Sequence, residues 1–141
     1  MTSLKGLRIL FADDARYSMR GTIEALEIAG AKVDVVTDGT EVLEYLRKYK
    51  AMLPDLLILD IMMPEGKEIV TPDEGRSTGV EVYKWMQGEN IMIPTVVSTV
   101  VTDRSILDNL RDQGIPIVQK PYRFEELERE IQKVMPERDK R

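Results

Sequence analysis

Short runs rich in aliphatic and β-branched residues alternate along this chain with longer segments of helical period. That alternation restricts the folds open to it more than any other feature. Residues 7–12, 32–36, 56–60, 95–99 and 115–119 read as strands. Between and after them, apolar residues recur at helical spacing: Ile23, Leu26 and Ala29; Val42, Leu43 and Leu46; Val82, Trp85 and Met86; Ile106, Leu107 and Leu110; and Leu127, Ile131 and Val134. Each set falls on one face of a helix. Central strands such as "LLILD" are apolar at consecutive positions, as expected where helices cover both faces of a parallel sheet. Repeated βα units of this kind predict a doubly wound α/β sandwich. Gly30, Asp38-Gly39 and Gly114 supply the breaks between elements.

In open parallel sheets, ligands bind beyond the carboxyl ends of the strands, where strand order reverses. Here the first strand runs into Asp13-Asp14, the third ends at Asp60, the fourth ends at Ser98-Thr99, and the fifth runs into Lys120-Pro121. Neighbouring strands lie about 4.8 Å apart, so Asp13, Asp14 and Asp60 converge on one small cleft. A buried carboxylate without a partner surrenders its charge or destabilises the fold, and clustered carboxylates repel. One divalent cation and a nearby lysine relieve both problems. Taken singly, each residue has an ordinary explanation: a helix N-cap, a turn ahead of Pro64, a surface lysine, a β-branched strand residue. Four strands delivering such residues to the same end of the sheet argue for a site.

Composition narrows the chemistry. The 141 residues include neither His nor Cys, which removes disulfides, thiolate chemistry, Ser-His-Asp triads and imidazole or thiolate metal ligands. Oxygen donors remain, and they suit Mg2+, with Mn2+ as a substitute. A hydrophobic content of 43% is ample for one core. A net charge of −5 argues against a nucleic-acid-binding surface spread over the domain. No apolar run reaches bilayer-spanning length and the first residues lack a signal-peptide cleavage region, so the expected location is the cytoplasm, away from any membrane.

The combination of Asp13-Asp14, Asp60 followed by "MMP", Thr99 five residues after Pro94, and Lys120-Pro121 resembles the receiver domain of two-component response regulators. The likeness runs from Arg8 to about Met135. It implies a flavodoxin-like five-stranded sheet in the order 2-1-3-4-5, a receiver domain of the stand-alone type over residues 1–136, and a polar tail at 137–141. It further implies that Asp60 accepts a phosphoryl group from a phosphohistidine on a sensor histidine kinase or a histidine phosphotransfer protein. By the same resemblance, Asp14 would bind Mg2+ directly and Asp13 mostly through water, with Asp60 and the backbone carbonyl of Met62 as further ligands. Lys120 would neutralise a phosphoryl oxygen, Thr99 would donate a hydrogen bond to it, and the Lys120-Pro121 bond would be cis. Lacking His, the chain is not its own phosphohistidine donor. The implied protein is a switch and not an enzyme, assisting only its own phosphorylation and dephosphorylation. It would signal by conformational change and contact with a downstream protein, as a monomer or a phosphorylation-dependent dimer, without touching nucleic acid.

Three departures accompany the likeness. Residues 65–79 form an insertion on the order of ten residues beyond the usual βα connection. It is polar and holds Gly66, Pro72 and Gly75, so it reads as a loop: a lid, a docking surface, or a plain surface excursion. Val100 stands where many receivers carry a smaller residue and would narrow access to Asp60. Ile117 replaces a common aromatic, and Tyr122, where Phe is common, reads as packing. These departures favour one alternative, a receiver-like docking module that is not phosphorylated. A phosphatase with an Asp nucleophile would need a carboxylate where Met62 stands. A flavin carrier would need a phosphate-cradling loop where Asp13-Asp14 would repel the phosphate.

Overall fold

A computed structural model describes residues 4–15 and 17–135; the expected domain end at 136 and the polar tail at 137–141 lie outside the described residues. The strands are β1 (Arg8–Ala12), β2 (Lys32–Val36), β3 (Leu56–Leu59), β4 (Thr95–Thr99) and β5 (Ile117–Gln119). They form one parallel sheet in the order β2-β1-β3-β4-β5, the order that the resemblance implies. The helices are α1 (Arg20–Ile28), α2 (Gly39–Lys48), α3 (Thr78–Gly88), α4 (Arg104–Asp112) and α5 (Phe124–Val134). Among the described residues no helix is long and apolar enough to cross a membrane.

Alternate side chains of a strand face opposite sides of the sheet, and the central strands use both. Ile9, Phe11, Leu56 and Ile58 pack with Leu26 of α1 and with Leu127 and Ile131 of α5. Leu10, Ala12, Leu57 and Leu59 pack on the other side with Val42, Leu43 and Leu46 of α2 and with Val82 and Met86 of α3. Leu110 of α4 joins Val97, Ile61 and Ile115 beside them. Edge strand β2 alternates exposed and partly buried positions instead.

Three strands are shorter than expected, each for a local reason. β1 begins at Arg8, the Leu7 amide donating back to the Leu4 carbonyl at 3.0 Å. β5 begins at Ile117 because the Ile115 amide turns back to the Leu110 carbonyl (3.1 Å), closing the end of α4, and Pro116 has no N–H to give the ladder. β3 ends at Leu59, although the Asp60 amide still donates to the Ala12 carbonyl at 2.9 Å. Asp38, expected as part of a turn, is the N-cap of α2, its carboxylate accepting the Glu41 amide at 2.7 Å.

The 65–79 segment is not a free excursion. It folds back on the first turn of α2, where the Gly39 amide donates to the Pro64 carbonyl (2.9 Å) and the Thr40 amide to that of Glu65 (3.0 Å). Ile69 is buried against the α2–α3 side of the core. Arg47 of α2 grips Glu68 through both guanidinium nitrogens, at 2.7 and 3.0 Å, and lies 5.4 Å from the centre of the Trp85 ring.

Candidate functional site

Sheet register sets the site. Ala12 pairs with both Val36 and Leu59, so Asp13 and Asp60, each one residue further on, leave adjacent strands at the same level. Leu59 pairs with Val97 and Thr99 with Gln119, so on the far side Thr99 lies one residue and Lys120 two residues beyond the level of Asp60, at the same end of the sheet. The Lys120 amide extends the ladder by donating to the Thr99 carbonyl at 2.9 Å.

The Lys120 ammonium lies 2.6 Å from Asp13 Oδ2 and 3.2 Å from Asp60 Oδ2. Asp13 Oδ1 accepts the amide of Ala15 at 2.8 Å, and Asp60 Oδ1 accepts that of Met62 at 3.2 Å. Asp13 and Asp60 are almost wholly buried, at 1% and 3% exposure, whereas Asp14 is open to solvent. The structure separates the two neighbours, Asp13 locked to the lysine and Asp14 exposed at the rim. All three nonetheless bring a carboxylate oxygen within 4.8 Å of the others. Thr99 is fully buried, its hydroxyl oxygen accepting the Val101 amide at 3.2 Å, which leaves the hydroxyl proton for another acceptor. The Lys120–Pro121 bond is cis.

Electrostatics follow from this packing. Burial pushes the Asp60 carboxyl up; the Lys120 charge opposes the rise, the Asp13 charge adds to it, and the balance is a pKa of about 6 in place of 3.8. Burial alone would lower the Lys120 ammonium, but the Asp13 hydrogen bond and the two carboxylate charges outweigh it and hold the lysine above its ordinary value. Three carboxylates face one ammonium, so the pocket lacks positive charge, and every side-chain donor in the cluster is an oxygen. That donor set fits a small hard divalent cation such as Mg2+ and suits no soft metal.

Against this geometry stand the comparisons with known proteins. The family model for the response regulator receiver domain matches residues 9–132. The chain belongs to the response-regulator receiver domain family. It is 32% identical over 125 residues to the response regulator MprA of Mycobacterium leprae, covering 86% of this chain and 47% of that protein. It is 26% identical over 129 residues to an uncharacterised response regulatory protein of Vibrio cholerae, covering 92% of this chain and 48% of the relative. The chain thus spans about half the length of the curated relatives it matches. The signal receiver domain of a LuxO repressor protein from Vibrio parahaemolyticus has the same fold, with a TM-score of 0.71 at 18% identity over 93% of this chain and 94% of that one. Receiver domains are signalling modules and not classical enzymes, and acidic clusters of this kind are where they generally bind Mg2+.

Within this receiver domain the departures have definite places. Val100 is half exposed and, with Ser18, Met19, Thr22 and Tyr122, lines a cleft of about 350 Å3 that reaches Lys120. Ile117 is partly buried against the cluster of Val97, Leu110 and Ile115. Tyr122 packs on the α1–α5 side of the core, as expected, and its hydroxyl also bonds to that of Ser98 at 2.9 Å, one residue before Thr99. Sequence reasoning missed that bond, the Ala15 amide that fixes Asp13, and the close approach of Gly79. A Cβ on Gly79 would lie 2.4 Å from the Asp60 carbonyl oxygen. A glycine at the start of an otherwise ordinary helix was the available signal.

Proposed function

We propose that Asp60 accepts a phosphoryl group from a phosphohistidine on a sensor histidine kinase or a histidine phosphotransfer protein, in a Mg2+-dependent reaction. The observation that carries the reading is the position of Lys120, within hydrogen-bonding distance of both Asp13 and Asp60 at the carboxyl end of a parallel sheet. An Asp60 oxygen attacks phosphorus in line, the P–N bond to the donor imidazole breaks, and its electron pair stays on the departing ring nitrogen, which takes up a proton. Such transfer asks mainly for positioning and charge neutralisation. Lys120 supplies a compact positive charge for one phosphoryl oxygen, and the Thr99 hydroxyl donates its proton to another. Asp13, Asp14, Asp60 and the Met62 carbonyl are the residues that would hold Mg2+, whose charge, when bound, neutralises the oxygens of the transferring group.

Thr99, drawn toward the new phosphate, would pull on the Ser98–Tyr122 bond and on the packing of β4 against α4 and α5. That shift of population between two arrangements is the output. We read that output as contact with a downstream protein, by a monomer or a phosphorylation-dependent dimer, and not as direct binding to nucleic acid. Incubation with Mg2+ and acetyl phosphate or phosphoramidate, followed by intact-mass measurement, tests the phosphoacceptor. A gain of one phosphoryl mass is expected, lost on Asp60→Asn and on chelation of the metal. No gain from any donor, a phosphorylated kinase included, would leave the docking module in its place.

A further inference from the structure

The turn that follows Asp60 is held from both sides, and the insertion is what closes the grip. On one side the N-terminus of α3 presses against it: the Gly79 amide donates to the Ile61 carbonyl at 2.9 Å. On the other side α2 offers its first amides, which have no partner within the helix. Gly39 and Thr40 give them to the carbonyls of Pro64 and Glu65. The Thr40 side chain, 5% exposed, then does what a backbone amide cannot: its hydroxyl donates to the Glu65 carbonyl at 3.0 Å and accepts the Glu68 amide at 2.8 Å. One hydroxyl thus joins α2 to both ends of the bend that begins the insertion. Gly66, at a φ of +77° in that bend, lies so close that a Cβ there would come 2.5 Å from the Thr40 oxygen. Thr71 completes the fold-back, its amide and hydroxyl donating to Glu65 Oε2 at 2.7 and 2.6 Å and its oxygen accepting the Gly75 amide at 2.7 Å.

We propose that Thr40 is a positioning residue for the cation site, and that the 65–79 insertion is a brace: bonded through Thr40 to α2, it fixes the backbone turn of residues 60–65 that bears Asp60 and the Met62 carbonyl. The inference rests on the reading of Asp13, Asp14 and Asp60 as a Mg2+ site. It removes the insertion from the role of free surface excursion, because its bonds run to α2. Ligands held by outer contacts lose metal affinity by about 10–100-fold when those contacts are removed. Thr40 sits one backbone segment away from the ligands, so the lower end of that range applies.

The test compares Thr40→Val, which keeps the shape and deletes the hydroxyl, with Thr40→Ser, which keeps the hydroxyl. Titration calorimetry with MgCl2 should give a dissociation constant raised about tenfold in the valine variant and close to that of the wild type in the serine variant. Amide hydrogen exchange at Met62, Met63 and Glu68, followed without metal, should quicken in the valine variant alone. A valine variant with a lower melting temperature but an unchanged Mg2+ constant and unchanged exchange at Met62 and Met63 overturns the proposal, since Thr40 would then only stabilise the fold. Wild-type protein that takes up no Mg2+ refutes the cation-site reading instead, and the exchange data then decide the brace by themselves. If Thr40→Val does not fold, Thr71→Val, on the more exposed side of the same fold-back, carries both measurements, with the same direction and a smaller effect expected.

Discussion

Asp60 is held in a pocket that disfavours its charge, and replacing it with asparagine should therefore stabilise the protein it disables. A carboxyl raised from 3.8 to about 6 has lost about 3 kcal/mol of ionisation free energy relative to water. The folded carboxyl keeps its proton to higher pH than the unfolded one, so its stabilising contribution is complete below 3.8 and vanishes as pH climbs through about 6. Above that range the wild-type fold carries the full penalty. Asparagine carries none, and its oxygen can keep the Met62 amide that now binds Oδ1 at 3.2 Å. Its NH2, however, faces the Lys120 ammonium in place of an acceptor, which costs about 1 kcal/mol. The net expectation is a gain of about 2 kcal/mol at pH 7.5 without metal, or a melting temperature higher by roughly 4–10 °C for a chain of this size.

Thermal unfolding followed by circular dichroism in EDTA, at pH 7.5 and at pH 4.5, measures this directly. The difference between Asp60→Asn and wild type should shrink toward zero at the lower pH, where the folded Asp60 carboxyl is protonated and the remaining penalty of about 1 kcal/mol is offset by the cost of the amide. Added Mg2+ should close the gap at pH 7.5 by stabilising the wild type more than the variant. An asparagine variant no more stable than wild type at pH 7.5, or a gap that ignores pH between 4.5 and 7.5, would refute the account of Asp60 as a desolvated anion awaiting a cation.

Two further substitutions test the surroundings of that carboxylate. Val100→Ala opens the cleft beside Lys120, so loss of the phosphoryl label, followed by intact mass after removal of the donor, should quicken several-fold; an unchanged rate would show that Val100 does not limit the approach of water. Gly79→Ala would place a Cβ 2.4 Å from the Asp60 carbonyl oxygen and 2.8 Å from Ile61 Cα, an overpacking that should cost about 2 kcal/mol; a urea midpoint within error of the wild type would mean that α3 shifts freely away from β3.

The strands and their helices were legible because their apolar periods differ, and because β3 and β4 are buried at every position. The site was legible for a related reason. Parallel register turns order along the chain into position in space, so polar residues just past Ala12 and Leu59 had to meet where β1 pairs with β3, and the one just past Gln119 emerges at the same end of the sheet. Which of Asp13 and Asp14 is buried against Lys120 was not legible: successive residues leaving a strand point to opposite sides, and no pattern says which side holds the lysine. Nor was the brace. Residues 65–79 have no period, and a polar segment with three glycines reads as loop. What orders it is side chain bonded to backbone, Thr40 to Glu65 and Glu68, Thr71 to Glu65 and Gly75, Asp73 to Ser77, together with one buried apolar residue, Ile69. Such bonds follow from the identity of a few residues at unequal spacings, and no periodic pattern announces them. The same Thr40, read along the chain, is only the second residue of a helix; its reach across 25 positions to Glu65 exists because α2 and the turn after β3 emerge at one end of the sheet. Parallel topology therefore accounts for both halves of the outcome. It makes the strand-end carboxylates predictable from order alone, and it brings an irregular insertion against a helix start that no local pattern connects to it.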